Sequence, residues 1–121
     1  MKKEETIQNY LEAIYITSLD KGTVRAIDLA NYLGFSRPTV SIALKQLESD
    51  GYIRNNDNAI ELTEQGEQIA LTMYERHEYI AKILMKLGVD KKTAYEDSCL
   101  IEHDLSAESF AAIKKATKDY V

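Results

Sequence analysis

The stretch SRPTVSIALKQLESDG, residues 36–51, has the features of a short helix with a defined start and end. Ser36 is a residue type that commonly caps a helix N-terminus, and Pro38 falls in the first turn, where its missing N–H loses no partner. Gly51 is a stop signal for the helix. One face of the segment is apolar and is predicted to pack into a core. That face consists of Val40, Ala43, Leu44 and Leu47.

The hydrophobic period changes directly after this helix, in YIRNNDNAIELT, residues 52–63. Residues 52–54 and 60–62 carry the β-branched and aromatic side chains of two short strands. The four residues between them, Asn55, Asn56, Asp57 and Asn58, tolerate the dihedral angles of turns. The segment is therefore predicted to form a β-hairpin.

Two further helices are predicted before residue 36. Residues 4–18 repeat apolar side chains at helical spacing, and the helix is predicted to end at 20–22. Residues 26–33 form a shorter helix that is closed by Gly34. Two short helices joined by a tight turn and followed by a hairpin are the pattern of a winged helix-turn-helix, whose second helix can enter a DNA major groove. The predicted inner residues of the shorter helix are Ile27, Leu29, Ala30 and Leu33.

Three more helices are predicted after the hairpin. Thr63 is a plausible N-cap for a long helix that extends to about Gly88. A second helix covers about 91–104, and Ser106 caps a third. The fold class is therefore mainly α, with a winged helix-turn-helix at residues 1–63 and an all-helical domain at residues 64–121. The predicted inner face of the long helix contains Ile69, Met73, His77, Ile80 and Leu84.

The composition limits the possible classes of function. The chain has 121 residues, 15 Lys and Arg against 20 Asp and Glu, and a net charge of −5, which argues against indiscriminate binding to nucleic acid. Binding to DNA would need a local patch or the help of bound cations. No apolar run is long enough for a membrane span, and the start MKKEETIQNY lacks the apolar core of a secretion signal. A cytoplasmic protein is expected.

The helix at 36–51 has an outer face that suits DNA. Arg37, Ser41 and Lys45 are four residues apart and line one ridge. The N-terminal end offers hydroxyl groups and apolar surface to base edges, while basic side chains suit phosphates. The alternative is a solvated helix face that never meets DNA. The candidates for DNA contact are Ser36, Arg37, Pro38, Thr39, Ser41, Lys45 and Arg54.

The only cysteine begins a second candidate site, Cys99-x-x-Glu102-His103. The spacing i, i+3, i+4 places these three side chains on one face of a helix, where they can converge on one ion. Thiolate, carboxylate and imidazole together suit a transition metal better than calcium or magnesium. The alternative is a buried cysteine beside a surface Glu–His pair. His77, on an apolar helix face, and Glu12, beside the apolar stripe of the first helix, also have ordinary structural explanations.

Five segments, taken in order, resemble the diphtheria toxin repressor and manganese transport regulator family (DtxR/MntR). NYLEAIY resembles its first-helix motif, and SRPTVS resembles the start of its recognition helix. LT-x-x-G is similar to the opening of its long helix, ERHE carries its long-helix histidine, and C-x-x-EH-x-LS carries its principal ligands. The resemblance implies a metal-binding and dimerisation domain at residues 64–121, two ions per subunit and a homodimer that binds an operator in double-stranded DNA.

The resemblance also implies the ligand set and the cofactor. Asn9 stands where manganese members carry aspartate and iron members carry methionine, and Ala81 replaces a carboxylate found in several members, so the second ion site is weakened. The implied cofactor is Fe²⁺ or Mn²⁺, with Zn²⁺ or Co²⁺ expected to bind in vitro. Because the sequence ends at Val121, we expect a minimal two-domain form. The implied metal ligands are Asn9, Glu12, His77, Cys99, Glu102 and His103.

The function expected from these features is a metal-dependent transcriptional repressor that controls metal homeostasis genes. The main alternative is a winged-helix regulator that responds to a small organic ligand. An enzyme with Cys99 as nucleophile and His103 as base is a further alternative, although residues four apart on one helix rarely provide that geometry. A structural helical adaptor would leave the helix at 36–51 and its hairpin unexplained.

Overall fold

The computed structural model describes residues 3–121 as six helices and one two-stranded sheet. The chain divides into two compact units, Met1–Leu71 and Thr72–Val121, and the longest helix crosses the boundary between them. None of the helices described is long and apolar enough to cross a membrane. The elements are α1 (Lys3–Lys21), α2 (Ala26–Leu33), α3 (Arg37–Ser49), β1 (Ile53–Asn56), β2 (Ala59–Leu62), α4 (Glu64–Lys86), α5 (Lys91–Ile101) and α6 (Ala107–Thr117).

The first unit is a helix-turn-helix built around one apolar cluster. α2 ends at Gly34, whose φ of 72° is the left-handed conformation that glycine adopts without strain. Ser36 then caps α3, as predicted, by accepting a hydrogen bond from the Thr39 N–H. The core is formed by buried side chains of all three helices and the sheet, including Leu11, Ile14, Leu29, Val40, Leu44, Leu47, Ile53 and Ile60.

The prediction that Ile27 lies in the core is wrong, because its side chain is 40% exposed. Ile27 precedes the buried Leu29 by two residues, which is about 200° around a helix. Its side chain therefore falls on the outer side of α2. Leu29 and Ala30 are buried and Leu33 is half-buried, in agreement with the predicted inner face.

A short polar contact joins the end of α1 to the start of α2. Asp28 accepts a hydrogen bond from the Arg25 backbone N–H at 2.9 Å, and the Lys21 ammonium lies 3.1 Å from the same carboxylate. The backbone hydrogen bond and the Lys21 charge hold the pKa of Asp28 below its usual value. The carboxylate thus stays ionised at neutral pH, where it satisfies a free N–H at the start of the helix.

The hairpin after α3 is tighter than predicted. β1 and β2 are antiparallel, with Ile53 opposite Leu62 and Asn56 opposite Ala59. The connection is therefore only Asp57 and Asn58, not the four residues expected. Both have positive φ, 51° and 69°, as a two-residue hairpin turn requires. We call this hairpin the wing.

The base of the wing is in close contact with the start of α4. The Thr63 hydroxyl donates to the Gly51 carbonyl and accepts from the Gly66 N–H, so it caps α4 as predicted. The Gly66 Cα faces the Tyr52 carbonyl so closely that an added Cβ would overlap the carbonyl oxygen and lie 3.0 Å from its carbon. This close approach explains why a glycine occupies the last position of the LT-x-x-G segment.

The second unit packs α5 and α6 against the C-terminal part of α4. Phe110 of α6 meets the Tyr79 ring edge to face at 5.8 Å, and the Tyr79 hydroxyl lies 2.7 Å from the Thr117 hydroxyl. Asp90 caps α5 and Ser106 caps α6, the latter as predicted. α5 ends at Ile101, earlier than expected, and His103 lies in the turn that follows it. The prediction that the Cys-Glu-His set lies within one helix is therefore wrong.

We expect Gly66→Ala to destabilise the first unit, because the added methyl group overlaps a backbone carbonyl that cannot rotate away. The free energy of unfolding should fall by about 1–3 kcal/mol, the usual range for overpacking. Urea denaturation followed by circular dichroism would measure the loss. Gln65→Ala, an exposed neighbour in the same turn, should leave the stability nearly unchanged. Equal stability of the Gly66→Ala variant and the unaltered protein would contradict the close contact.

Candidate metal and DNA sites

The central group of the second unit is the carboxylate of Glu102, which is 1% exposed and lies between two imidazoles. Its Oε2 is 3.2 Å from His77 Nδ1, and its Oε1 is 3.3 Å from His103 Nε2. Burial of a carboxylate is costly unless positive charge or hydrogen-bond donors compensate it. Both oxygens of Glu102 are thus held at the distance of an ion pair.

A sulfur ligand joins this arrangement from α5. Cys99 Sγ lies 3.4 Å from His77 Nδ1, and the Ser98 hydroxyl lies at the same distance from that nitrogen. Ser98 is fully buried, whereas Cys99 is exposed, so the interpretation of Cys99 as a buried hydrophobe does not hold. We call His77, Cys99, Glu102 and His103 the Glu102 cluster.

The chemistry of the Glu102 cluster fits a transition metal. Imidazole nitrogen, carboxylate oxygen and thiol sulfur meet within one group of contacting side chains, and mixed N, O and S donors suit borderline divalent ions. His77 and Glu102 are both buried, and each offers a ligand atom within 4.8 Å of the other's, which is close enough to share one ion. The structure therefore brings together the four predicted ligands of the second unit.

Two residues that the sequence did not single out support the cluster. The Arg76 guanidinium is buried, and its Nη1 donates to the backbone carbonyls of Glu102 at 3.3 Å and Leu105 at 2.7 Å. Tyr95 packs its ring 5.3 Å from that of His77. A charged side chain beside a histidine on a long helix gives no sequence signal of burial. The contact of Arg76 with the turn depends on how the helices pack.

The hydroxyl of Tyr95 also holds Glu78, the residue that follows His77 on α4. It donates a 2.8 Å hydrogen bond to Glu78 Oε2, and this bond, with partial burial, raises the pKa of Tyr95. The phenol therefore stays protonated at neutral pH and continues to donate. α4 is thus joined to α5 through Glu78 as well as through His77.

The remaining two predicted ligands belong to α1, in the first unit. Glu12 is only 6% exposed and Asn9, one turn before it, is half-buried. The burial of Glu12 argues against the ordinary solvated carboxylate. The assignment of Asn9 and Glu12 as ligands stays a prediction.

All seven predicted DNA contacts are exposed, six on or next to α3 and Arg54 on the wing. The Ser36 hydroxyl is already engaged, since it donates to Thr39 Oγ1 at 2.8 Å and caps the helix. Ser36 and Thr39 are thus fixed relative to each other. Ile42, in the middle of α3, is also exposed and was not among the predicted DNA contacts, because hydrophobic periodicity indicates only which face of a helix is buried.

Comparison with known proteins assigns both units. The model of the iron dependent repressor N-terminal DNA binding domain matches residues 3–58, and that of the iron dependent repressor metal binding and dimerisation domain matches residues 63–120. The chain is 34% identical to the transcriptional regulator MntR of Salmonella typhimurium over 98% of its own length and 76% of that protein. The chain belongs to the DtxR/MntR family. The resemblance found in the sequence and the predicted fold class are thus confirmed.

Other members of the DtxR/MntR family are similar over most of this chain. It is 32% identical to the regulator MntR of Bacillus subtilis over 89% of its length and 77% of that protein. A solved manganese-dependent transcriptional repressor in complex with manganese superposes with a TM-score of 0.81 at 27% identity, over 91% of this chain. The chain spans about half, 51%, of that solved protein. Because DtxR/MntR proteins are transcriptional regulators, the enzyme and adaptor alternatives are excluded.

We expect Arg76 to position the ligands of this DtxR/MntR protein. In Arg76→Met the aliphatic part remains, but the turn that carries Glu102 and His103 loses two hydrogen bonds. The affinity for Mn²⁺ should fall by about tenfold, the lower end of the usual effect of supporting contacts. Titration with Mn²⁺, followed through the electron paramagnetic resonance signal of the free ion, would measure it.

The matched control is Lys114→Met. The Arg76 guanidinium lies over the Phe110 ring at 5.5 Å, and the Lys114 ammonium lies over the same ring at 6.0 Å. Lys114, however, forms an ion pair with Glu75 and does not contact the turn. Its removal should lower stability slightly and leave the Mn²⁺ affinity unchanged. If Arg76→Met bound Mn²⁺ as tightly as Lys114→Met at the same folded fraction, Arg76 would have only a structural role.

Proposed function

We propose that this chain is a metal-dependent transcriptional repressor that binds an operator in double-stranded DNA when Mn²⁺ or Fe²⁺ is bound. The observation that carries the proposal is the Glu102 carboxylate, buried between His77 and His103 in a chain whose other unit exposes a recognition helix. Membership of the DtxR/MntR family supports it and disfavours a regulator that senses an organic ligand. Because a repressor must reach its operator in the cell's DNA, we propose a cytoplasmic location.

Two observations bear on the identity of the metal, the similarity to known repressors and the chemistry of the ligands. The similar solved structure is a manganese-dependent repressor in complex with manganese, which supports Mn²⁺. The Cys99 sulfur shifts the preference towards Fe²⁺ and Zn²⁺, because thiolates bind softer ions more tightly. Zn²⁺ and Co²⁺ should therefore bind in vitro. Selectivity between Mn²⁺ and Fe²⁺ then comes from coordination geometry and from the metals that the cell supplies.

The ligands give an acidic chain a way to make DNA binding conditional. A bound divalent ion would add two positive charges to a protein whose net charge is −5. We propose that Glu12, the buried carboxylate of α1, supplies a further ligand, so that ligation couples the DNA-binding unit to the Glu102 cluster. A shared ligand set makes metal affinity and DNA affinity mutually dependent, as linkage requires.

The DNA side of the mechanism rests on α3 and the wing. The N-terminal end of α3 would enter the major groove with Pro38 and Thr39 towards base edges. Arg37, Lys45 and Arg54 would contact phosphates, which positions the helix. With so few basic side chains, a single DNA-binding unit binds weakly. In a dimer, two such units on two half-sites compensate for that weakness.

The homodimer is supported by apolar side chains that the second unit leaves exposed. Leu100 is 70% exposed on α5, Ile101 is exposed beside it in the sequence, and Leu87 is exposed in the turn between α4 and α5. The matched family model describes this part of the chain as a dimerisation domain. We propose that these side chains pack against a second copy, because apolar burial is the main source of stability of such interfaces.

We expect Leu100→Glu to separate the dimer, because a carboxylate buried in an apolar interface has no partner. The dissociation constant should rise by about two orders of magnitude. Sedimentation equilibrium would measure the change. Leu19→Glu, at a 59% exposed leucine of α1, is the control and should remain dimeric. A dimer of unchanged stability in Leu100→Glu would contradict the proposed surface.

The function is tested by recovering genomic DNA fragments on the purified protein under anaerobic conditions. Separate samples contain Mn²⁺, Fe²⁺ or a chelator. Enrichment of a few upstream fragments only with metal is expected. Equal enrichment in chelator would contradict metal dependence and support a regulator of the organic-ligand class.

We expect His103→Ala and Glu102→Gln to reduce retention of these fragments with Mn²⁺ to the level seen in chelator. His103→Ala removes an imidazole donor of the Glu102 cluster, and Glu102→Gln preserves the side-chain volume but removes the negative charge that holds the cation. Fluorescence anisotropy with a recovered fragment would measure the affinity. Glu96→Ala removes an exposed carboxylate of α5, the helix that precedes both residues, and should bind as the unaltered protein does. Metal-dependent binding that survives both ligand variants would contradict the proposed site.

A further inference from the structure

The side chain of Ile42 is 72% exposed, the highest value among the exposed large hydrophobic residues in the described part of the chain. α3 already buries Val40, Leu44 and Leu47 in the core of its unit. Ile42 follows Val40 by two residues and therefore points to the opposite side of the helix. Its exposure has no explanation in the packing of the first unit.

The position of Ile42 is the middle of the surface that faces DNA under the proposed function. It lies four residues after Pro38 and three after Thr39, so these side chains are neighbours on the helix surface. Lys45 lies three residues further on. The exposed isoleucine is thus surrounded by side chains suited to base edges and phosphates.

Only one base offers a matching apolar surface in the major groove. Base edges in that groove present hydrogen-bond donors and acceptors, except for the 5-methyl group of thymine. An isoleucine cannot satisfy a donor or an acceptor, and a base edge that it desolvates without replacing the hydrogen bond is disfavoured. Isoleucine is also restricted to essentially one rotamer about χ1 in a helix, so little conformational freedom is lost on contact.

We propose that Ile42 packs against the 5-methyl group of a thymine in each operator half-site and so determines specificity at that base. The inference rests on the proposed function, because it places α3 in the major groove. Cytosine at the same position would present its amino group to the side chain and leave that donor unpaired. Ile42 therefore selects by apolar contact, while Arg37 and Lys45 contribute affinity through phosphates.

The test compares thymine with uracil, which lacks only the methyl group. A fragment recovered on the protein with Mn²⁺ is amplified once with thymidine and once with deoxyuridine triphosphate. Affinities of both forms are measured in Mn²⁺ for the unaltered protein and for Ile42→Ala. Because full replacement also removes methyl groups near Pro38 and Thr39, the informative quantity is the thymine-to-uracil affinity ratio of each protein.

The unaltered protein should lose about fourfold more affinity than Ile42→Ala for each methyl contact, and about fifteenfold more for two half-sites. Leu19→Ala, which truncates an exposed leucine of α1, should keep the ratio of the unaltered protein. Equal ratios for the unaltered protein and Ile42→Ala would overturn the proposed contact while leaving the repressor function intact. If no fragment is retained with metal, the proposed function fails and the contact fails with it.

Discussion

The second unit depends on the electrostatic requirement of one buried carboxylate. Glu102 is almost fully removed from water, so its charge must be balanced by groups within about 4 Å. Two imidazoles lie at that distance, and Arg76 fixes the backbone carbonyl of the same residue. The packing of α5 and α6 on α4 is what brings these groups together. The protein thus holds the carboxylate and both imidazoles in place. The same groups can then bind a divalent cation.

The first unit depends on a steric constraint of a different kind. Gly66, at the start of α4, allows the helix to lie directly against the carbonyl of Tyr52 at the base of the wing. The wing is therefore held by the same helix that later carries His77, since α4 is continuous from Glu64 to Lys86. One element thus contributes to the placement of the wing and carries one of the predicted metal ligands. Such continuity suits a protein in which two binding events are linked.

Sequence patterns predicted most of the fold because each helix has a local start and stop. Ser36, Thr63 and Ser106 all cap the helices that they were expected to cap, and Gly34 has the expected left-handed conformation. The errors have local causes as well. The wing turn was predicted to be too long, because four consecutive residues all tolerate turn conformations. Which two of them form the turn depends on the strand register. α5 was predicted too long because residues 102–104 contain no glycine or proline to mark its end, and Glu102 itself keeps helical φ and ψ angles.

The sequence by itself determined the order of the elements, the family and the identity of the candidate ligands, because capping, periodicity and motif spacing are properties of neighbouring residues. Only the tertiary structure decided which groups meet. It brought His77 to within 3.2 Å of a carboxylate 25 positions later in the chain, buried Arg76 under the turn that follows α5, and left Ile42 outside every packed surface of its unit. Burial and contact between distant residues depend on how helices pack together, and no local pattern contains that information.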